Sequence, residues 1–362
     1  MFQLENIYIE KKCKDNIIAK NIASSEYSSK IIYIDSSVEA IKDTLKSDDP
    51  VNSGKKNLLV TENKGPFLKK CPGTKEMLCC NYFFLNYATN CPIDCSYCIM
   101  QEYLYNNPIL KIFSNVDAML SELENLLKKN SSRYYRIGTG ELSDSLAFDY
   151  LTGFSKTIVP FFAKIGNAVL ELKTKTDKIN NLIGLDHGEK TVVAWSVNPQ
   201  NIIDTEELYS ASLEKRIEAS VRCQENGYKI AFHFDPIILY EGWEGDYAEV
   251  VRRIFKEVNP KAVSWISLGG LRFSSEMKPI INERFKKSNI LCGEMVLCSD
   301  KKMRYFKPLR VEAFKKMVFN IKKYDNDIPV YLCMEGKNVW QKVFGATPDR
   351  VKGLDKVFKF FC

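Results

Sequence analysis

Residues 90–98 read Asn90-Cys91-Pro92-Ile93-Asp94-Cys95-Ser96-Tyr97-Cys98, three cysteines spaced four and then three positions apart just after an apolar run. Thiolates at that spacing on a short loop can converge on three irons of a cubane iron-sulfur cluster. The fourth iron stays open to a ligand, which sets such a centre apart from a four-cysteine electron carrier. Zinc and buried thiols are the alternatives. Zinc wants a fourth nearby Cys or His. The two histidines, His187 and His233, are distant in sequence, whereas Cys71, Cys79 and Cys80 lie upstream and can supply a ligand. Disulfides are disfavoured, because Met1-Phe2-Gln3-Leu4-Glu5 does not open a signal peptide and the 12 cysteines are expected in a reducing cytoplasm.

Outward from this loop the chain alternates. Strand-like apolar runs stand at 82–87, 134–138, 168–172, 191–197, 229–234 and 262–267, with helix-period segments between most of them. Val116 to Lys129 is the clearest helix, with Ser114, Asn115 and Asp117 as start signals and two lysines at its end. Six such βα steps imply parallel strands with right-handed crossovers, hence an α/β fold with an open or partial barrel. The loops after the strand C-termini then share one functional rim, as in complete barrels. Gly138-Thr139-Gly140-Glu141 follows the second strand, Lys173-Thr174-Lys175-Thr176 the third, and Ser196-Val197-Asn198-Pro199 the fourth.

The rest of the chain frames this barrel. Residues 1–50 read as a small N-terminal α/β preface, with alternating stretches at 7–9 and 31–34 and an amphipathic piece from Val38 to Leu45. The polar stretch Lys46 to Lys56 reads as a linker. Residues 51–275 are the expected barrel, and 276–362 an extension over its mouth that includes a last strand at 329–333. Apolar content of 45% in 362 residues is ample for a core. No apolar run approaches the ~20 residues of a bilayer span, so no membrane partner is expected. A net charge of +7 permits a polyanionic partner without demanding one.

Several of these residues carry a resemblance. The spacing C-x3-C-x2-C, with Tyr97 before the third cysteine, is the signature of the radical S-adenosylmethionine (SAM) superfamily. Together with Ser143-Asp144, Thr174-Lys175, Ser196-Val197-Asn198 and the run from Asp235 to Trp243, it resembles the spore photoproduct lyase family from about residue 75 to about residue 275. The resemblance implies an α/β fold with a partial (βα)6 radical SAM barrel, a 4Fe-4S cluster on Cys91, Cys95 and Cys98, SAM as the second cofactor, and a low-potential electron donor such as flavodoxin or ferredoxin. It implies reductive cleavage of SAM to a 5′-deoxyadenosyl radical and repair of a thymine lesion in DNA. Ser143, Lys175, Ser196 and Asn198 match positions that hold SAM. The chemistry agrees, since Lys175 can neutralise the SAM carboxylate and the others are short hydrogen-bonding groups.

The chain also departs from the family. The lyases carry a hydrogen-donor cysteine after the second strand, where this chain has Gly138 to Glu141. That stretch resembles the Gly-Gly-Glu motif of radical SAM enzymes, so Gly140 and Glu141 are expected to bind SAM, the glycine allowing close backbone approach. Ile99 replaces a tyrosine of the lyases' radical relay, leaving Tyr97 as the catalytic candidate of the loop. Cys292, Cys298 and Cys333 are the remaining candidate thiol donors, and buried packing is the ordinary role of such cysteines. His233 is a candidate for the mouth or a satisfied core histidine, and the run from Tyr240 to Trp243 a substrate loop or a hydrophobic plug. The basic run from Lys301 to Arg310, interleaved with Tyr305 and Phe306, is the candidate DNA footprint, with Lys301, Arg304 and Arg310 as phosphate contacts. Radical modification of a peptide, RNA or small molecule is the alternative function, and a non-catalytic iron-sulfur carrier or sensor the third.

Overall fold

The computed structural model describes residues 3–74, 76–78, 80–351 and 354. Its centre is a curled sheet of eight strands in the order Val330–Leu332, Val263–Gly270, Lys229–Ile237, Thr191–Ser196, Ala168–Thr174, Tyr135–Gly138, Phe83–Leu85 and Leu68–Lys70. Every neighbouring pair is parallel except the last, where Leu68–Lys70 runs antiparallel along the edge. All six strands expected of the half-barrel are present. A seventh parallel strand comes from the C-terminal segment, so that segment contributes to the barrel wall as well as lying beyond it.

Near-continuous burial along Thr191–Ser196 and Val263–Gly270 is what a parallel sheet covered on both faces demands. The helix Val116–Lys129 packs through Val116, Met119, Leu123 and Leu127, positions that share one face at a period of 3.6. Leu123→Ala there would cost about 2–5 kcal/mol through lost transfer energy and a cavity.

The N-terminal part differs from expectation. Its sheet has the order Ile31–Ile34, Asn6–Glu10, Asn57–Thr61, Leu110–Phe113 and Ala88–Thr89, so it draws strands from beyond residue 50, two of them flanking the cysteine loop. The expected linker contains the helix Pro50–Lys56 instead. Asp48-Asp49-Pro50 is a start signal, because the Asp49 carboxylate accepts from the Asn52 N–H at 2.9 Å and Pro50 occupies the first helical turn, where its missing N–H costs nothing. Gly54 is required here, since a Cβ would lie 2.5 Å from the Pro108 carbonyl.

The basic run also differs. Lys302–Tyr305 is the middle strand of an antiparallel three-stranded sheet, and Lys307–Lys322 is a helix. Arg304 is 1% exposed and pairs with Asp300 at 2.6 Å, while Arg310 is 6% exposed and pairs with Glu335 at 2.9 Å. Neither guanidinium is available to a phosphate, because each is used to neutralise a buried carboxylate. Of the three expected contacts only Lys301 is exposed.

Candidate iron-sulfur and cofactor site

The cysteine loop is braced from three directions. Asn90 adopts a left-handed φ of 64°, which asparagine tolerates, and its Oδ1 accepts from the Cys91 N–H at 2.8 Å. Lys55, buried on the helix Pro50–Lys56, donates to the carbonyls of Cys91 at 2.9 Å and Ile93 at 3.1 Å. Asp94 pairs with Lys55 at 3.4 Å and with Arg284 at 2.9 Å, and Gln101 donates to the Cys95 carbonyl at 2.6 Å. Asp94–Cys95 also pairs antiparallel with Glu207–Leu208, which ties the loop to the segment after the fourth parallel strand. Burial pushes the Cys91 thiol up to about 12, with the charge of Asp144 adding to it, and raises the Cys95 thiol well above its ordinary value. These thiols are therefore neutral until a metal displaces their protons. Among the described residues no three Cys, His, Asp or Glu side chains are arranged to hold one metal ion. A cubane, by contrast, takes each thiolate on a different iron.

Beside the loop lies a buried polar hub. Glu207 accepts from the Tyr97 hydroxyl at 2.5 Å and from Asn198 Nδ2 at 2.9 Å, and it faces Arg216 at 2.7 Å and Lys175 at 3.9 Å. Burial works to raise its carboxyl, but Arg216 and Lys175 hold it down at about 2. The Asn198 carbonyl oxygen accepts from Tyr247 at 2.7 Å, so both ends of its amide are engaged within the protein. Two expected cofactor residues, Lys175 and Asn198, and the catalytic candidate Tyr97 thus meet at a carboxylate that the sequence did not mark.

The rim loops are cross-linked by Asp144. Its carboxylate accepts from the backbone N–H groups of Leu146 and Ala147 at 2.9 Å, from Thr174 at 2.8 Å and from the Lys175 N–H at 2.7 Å. This fixes Ser143 beside Lys175. Ser143 Oγ is buried without a hydrogen-bond partner, and the Ser196 hydroxyl makes no hydrogen bond to a described residue. Gly140 packs so tightly that a Cβ would lie 2.9 Å from Lys173 Cβ. Unspent hydroxyls and a lysine ammonium fit a polar cofactor with a carboxylate, as SAM has, whereas the glycine at 140 is required by its packing against Lys173 and Ser145.

The same rim opens on a cavity of about 370 Å³. Tyr97, Ile99 and Glu141 line one side of it, and Asp235, Arg272 and Cys333 also belong to its lining. Across the strands runs a buried polar row, in which Arg136 donates to Glu171 at 2.8 and 3.0 Å and to Tyr331 at 2.9 Å. His233 Nε2 meets Glu171 at 2.7 Å, and burial keeps its pKa low despite that carboxylate, so the imidazole is neutral near pH 7. His233 is thus both satisfied and cavity-lining. Arg136 Nη1, Tyr82 Oη and Ser267 Oγ, all in the lining, have no hydrogen-bond partner among the described residues. Tyr240 and Trp243 are not in it; Tyr240 bonds Asp246 at 2.6 Å, and Trp243 packs on Tyr247. Arg136 and Glu171 were legible only as charges inside apolar strand runs, the sign of a polar interior in a barrel.

The half-barrel and its cysteine loop define a protein of radical SAM type. A family model described as spore photoproduct lyase matches residues 3–317, and the chain belongs to that family. It is 27% identical to the spore photoproduct lyase of Bacillus subtilis over 218 residues, 59% of this chain and 63% of that protein. It is 25% identical to the Geobacillus sp. spore photoproduct lyase over 205 residues, 56% of this chain and 60% of that one. The match thus spans under two thirds of the length of these curated relatives. A solved structure of spore photoproduct lyase complexed with dinucleoside spore photoproduct superposes with a TM-score of 0.78 at 20% identity, covering 91% of this chain and 99% of that one. A variant with bound AdoMet and the same dinucleoside superposes with a TM-score of 0.78, 20% identity and the same coverage. These two likenesses establish the shared fold.

Proposed function

We propose that this chain is a radical SAM enzyme that reverses a pyrimidine lesion of the spore photoproduct type. Cys91, Cys95 and Cys98 would hold a 4Fe-4S cluster, which together with SAM and an electron from a low-potential donor would supply a 5′-deoxyadenosyl radical. Lys175 neutralises the SAM carboxylate, Glu141 accepts from its amino group, and Ser143 and Ser196 supply hydrogen bonds. Glu207, through Tyr97 and Asn198, keeps these groups in place. One observation carries the reading: Tyr97 of the cysteine loop and Glu141 share a single cavity with Arg136, Tyr82 and Ser267, whose buried polar atoms lack partners among the described residues. Such atoms cost free energy unless a ligand satisfies them, and the carbonyl groups of pyrimidines can accept from all three.

The alternative substrate is a peptide, RNA or small molecule. It is favoured by the absence of a thiol from Gly138 to Glu141 and by the internal pairing of Arg304 and Arg310. Anaerobically reconstituted protein with SAM, dithionite and dinucleoside spore photoproduct decides between them. Release of thymidine together with 5′-deoxyadenosine is expected. Formation of 5′-deoxyadenosine without thymidine would remove the lesion reading and leave the radical chemistry, and formation of neither would remove both.

A further inference from the structure

A radical formed on a substrate carbon in the cavity must finally receive a hydrogen atom. We propose, resting on the lesion reading above, that Cys333 is the residue that delivers it. Cys333 directly follows the strand Val330–Leu332, on the rim that the cysteine loop shares, and it lines the cavity together with Tyr97 and Ile99. Its backbone N–H donates to the Leu268 carbonyl at 2.8 Å, which anchors it to the neighbouring strand. Arg272 lies 3.8 Å from the sulfur and holds Asp235 at 2.7 and 3.2 Å. Asp235 in turn sits so close to Gly269 that a Cβ there would overlap its carboxylate at 2.3 Å, so the acid beside the thiol is fixed in place.

Burial first, and then Asp235, raise the Cys333 thiol well above its ordinary value despite Arg272. The sulfur therefore keeps its hydrogen at neutral pH. Ser267 independently marks this wall as a ligand surface: it is 1% exposed, its hydroxyl has no partner, and it lines the same cavity from the adjacent strand. Neither of the other C-terminal candidates shares this setting. Cys292 is exposed, Cys298 precedes the strand Lys302–Tyr305, and neither lines the cavity. Cys71 and Cys80 do line it, from the segment before Phe83–Leu85, and they are the comparison.

The step is a homolytic transfer. The S–H bond of Cys333 breaks, a C–H bond forms on the substrate carbon, and the unpaired electron moves to sulfur. An S–H bond is weaker than the C–H bond it makes, so the transfer runs downhill. One electron from the low-potential donor and one proton from solvent then restore the thiol.

Because the thiol exchanges with solvent, turnover of dinucleoside spore photoproduct in D2O by the reconstituted enzyme should give thymidine carrying one solvent deuterium. Cys333→Ala and the size-conserving Cys333→Ser, checked for intact iron content, should lose that label and release by-products. Cys71→Ala and Cys80→Ala should keep it. A second readout needs no cluster. In cluster-free protein, dinucleoside at ten times its Kd should slow alkylation of Cys333 by iodoacetamide about tenfold, by mass action, as read by peptide mass spectrometry. Label retained in both Cys333 variants, or lost with Cys71 or Cys80 instead, would overturn the donor assignment while leaving the lesion reading intact. Unprotected Cys333, or labelled 5′-deoxyadenosine without any thymidine from wild-type protein, would overturn both.

Discussion

Two parts of the molecule are rich in charge near the barrel mouth, and they use it in opposite ways. On the strand-end rim, Ser143 Oγ is buried without a partner among the described residues, and Glu141 lines a cavity with Tyr82, Arg136 and Ser267, whose buried polar atoms are likewise unsatisfied. In the run from Lys301 to Arg310, the two arginines are buried against Asp300 and Glu335 and have no capacity left. Linear charge density favours the second region as a binding surface, yet the first has the vacancies. A buried pair is weak evidence for stability and none for recognition, because each charge mainly offsets the desolvation of the other. An orphaned buried donor is different, since its cost is met only when something binds.

The largest effect that tests this contrast is at the cluster. Any one of Cys91→Ala, Cys95→Ala or Cys98→Ala should abolish iron loading on anaerobic reconstitution, measured as iron per chain, whereas Cys71→Ala and Cys80→Ala should load normally. Full iron in all three loop variants would place the centre elsewhere.

Next in size is the pairing of the basic run. Arg304→Ala leaves Asp300 and Glu335 short of a buried partner and should destabilise the fold by about 3–5 kcal/mol in denaturant unfolding. Lys301→Ala, on the exposed neighbour, should stay within about 0.5 kcal/mol. Equal effects would mean that the two regions do not differ as described.

A smaller change is expected on the rim itself. Glu141→Ala removes one charge-assisted hydrogen bond, worth about 1.5–3 kcal/mol, so SAM affinity should fall about 10- to 100-fold with cluster content unchanged. Calorimetric titration with SAM reads this, and an unchanged Kd would displace Glu141 from the cofactor.

The smallest is a slope. Glu207 is held at about 2, below its ordinary 4.5, so its ionised form stabilises the fold above pH 4.5 and that contribution drains away as pH falls toward 2. Over that window wild-type protein should lose stability more steeply than Glu207→Gln. Parallel acid-unfolding curves would show that the hub contributes nothing.

Much of the fold was readable because parallel strands advertise themselves. Six apolar runs separated by helical periods left few topologies, and the helix Val116–Lys129 emerged with the bounds its pattern gave. The cysteine motif was readable because its spacing is local, and its role as the cluster seat is the proposal made above. Other features depended on partners far along the chain. Asp49-Pro50 resembles a linker by composition and a helix start by position, and only the second view explains it. Glu207 follows Glu206 with nothing to separate them, yet Glu207 becomes the hub because Arg216 and Lys175 fold against it. The burial of Arg304 and Arg310 follows from acids at 300 and 335, which no local window pairs with them.

The brace on the cysteine loop also has a bearing on how the protein matures. Lys55 reaches the loop from 36 residues before Cys91, and Arg284 grips Asp94 from 190 residues after it. A ribosome that has just released the three cysteines has not yet made the arginine that completes their seat. Until Arg284 has been made and folded back onto Asp94, the loop therefore lacks one of its braces, and its final shape belongs to a late stage in the life of the chain.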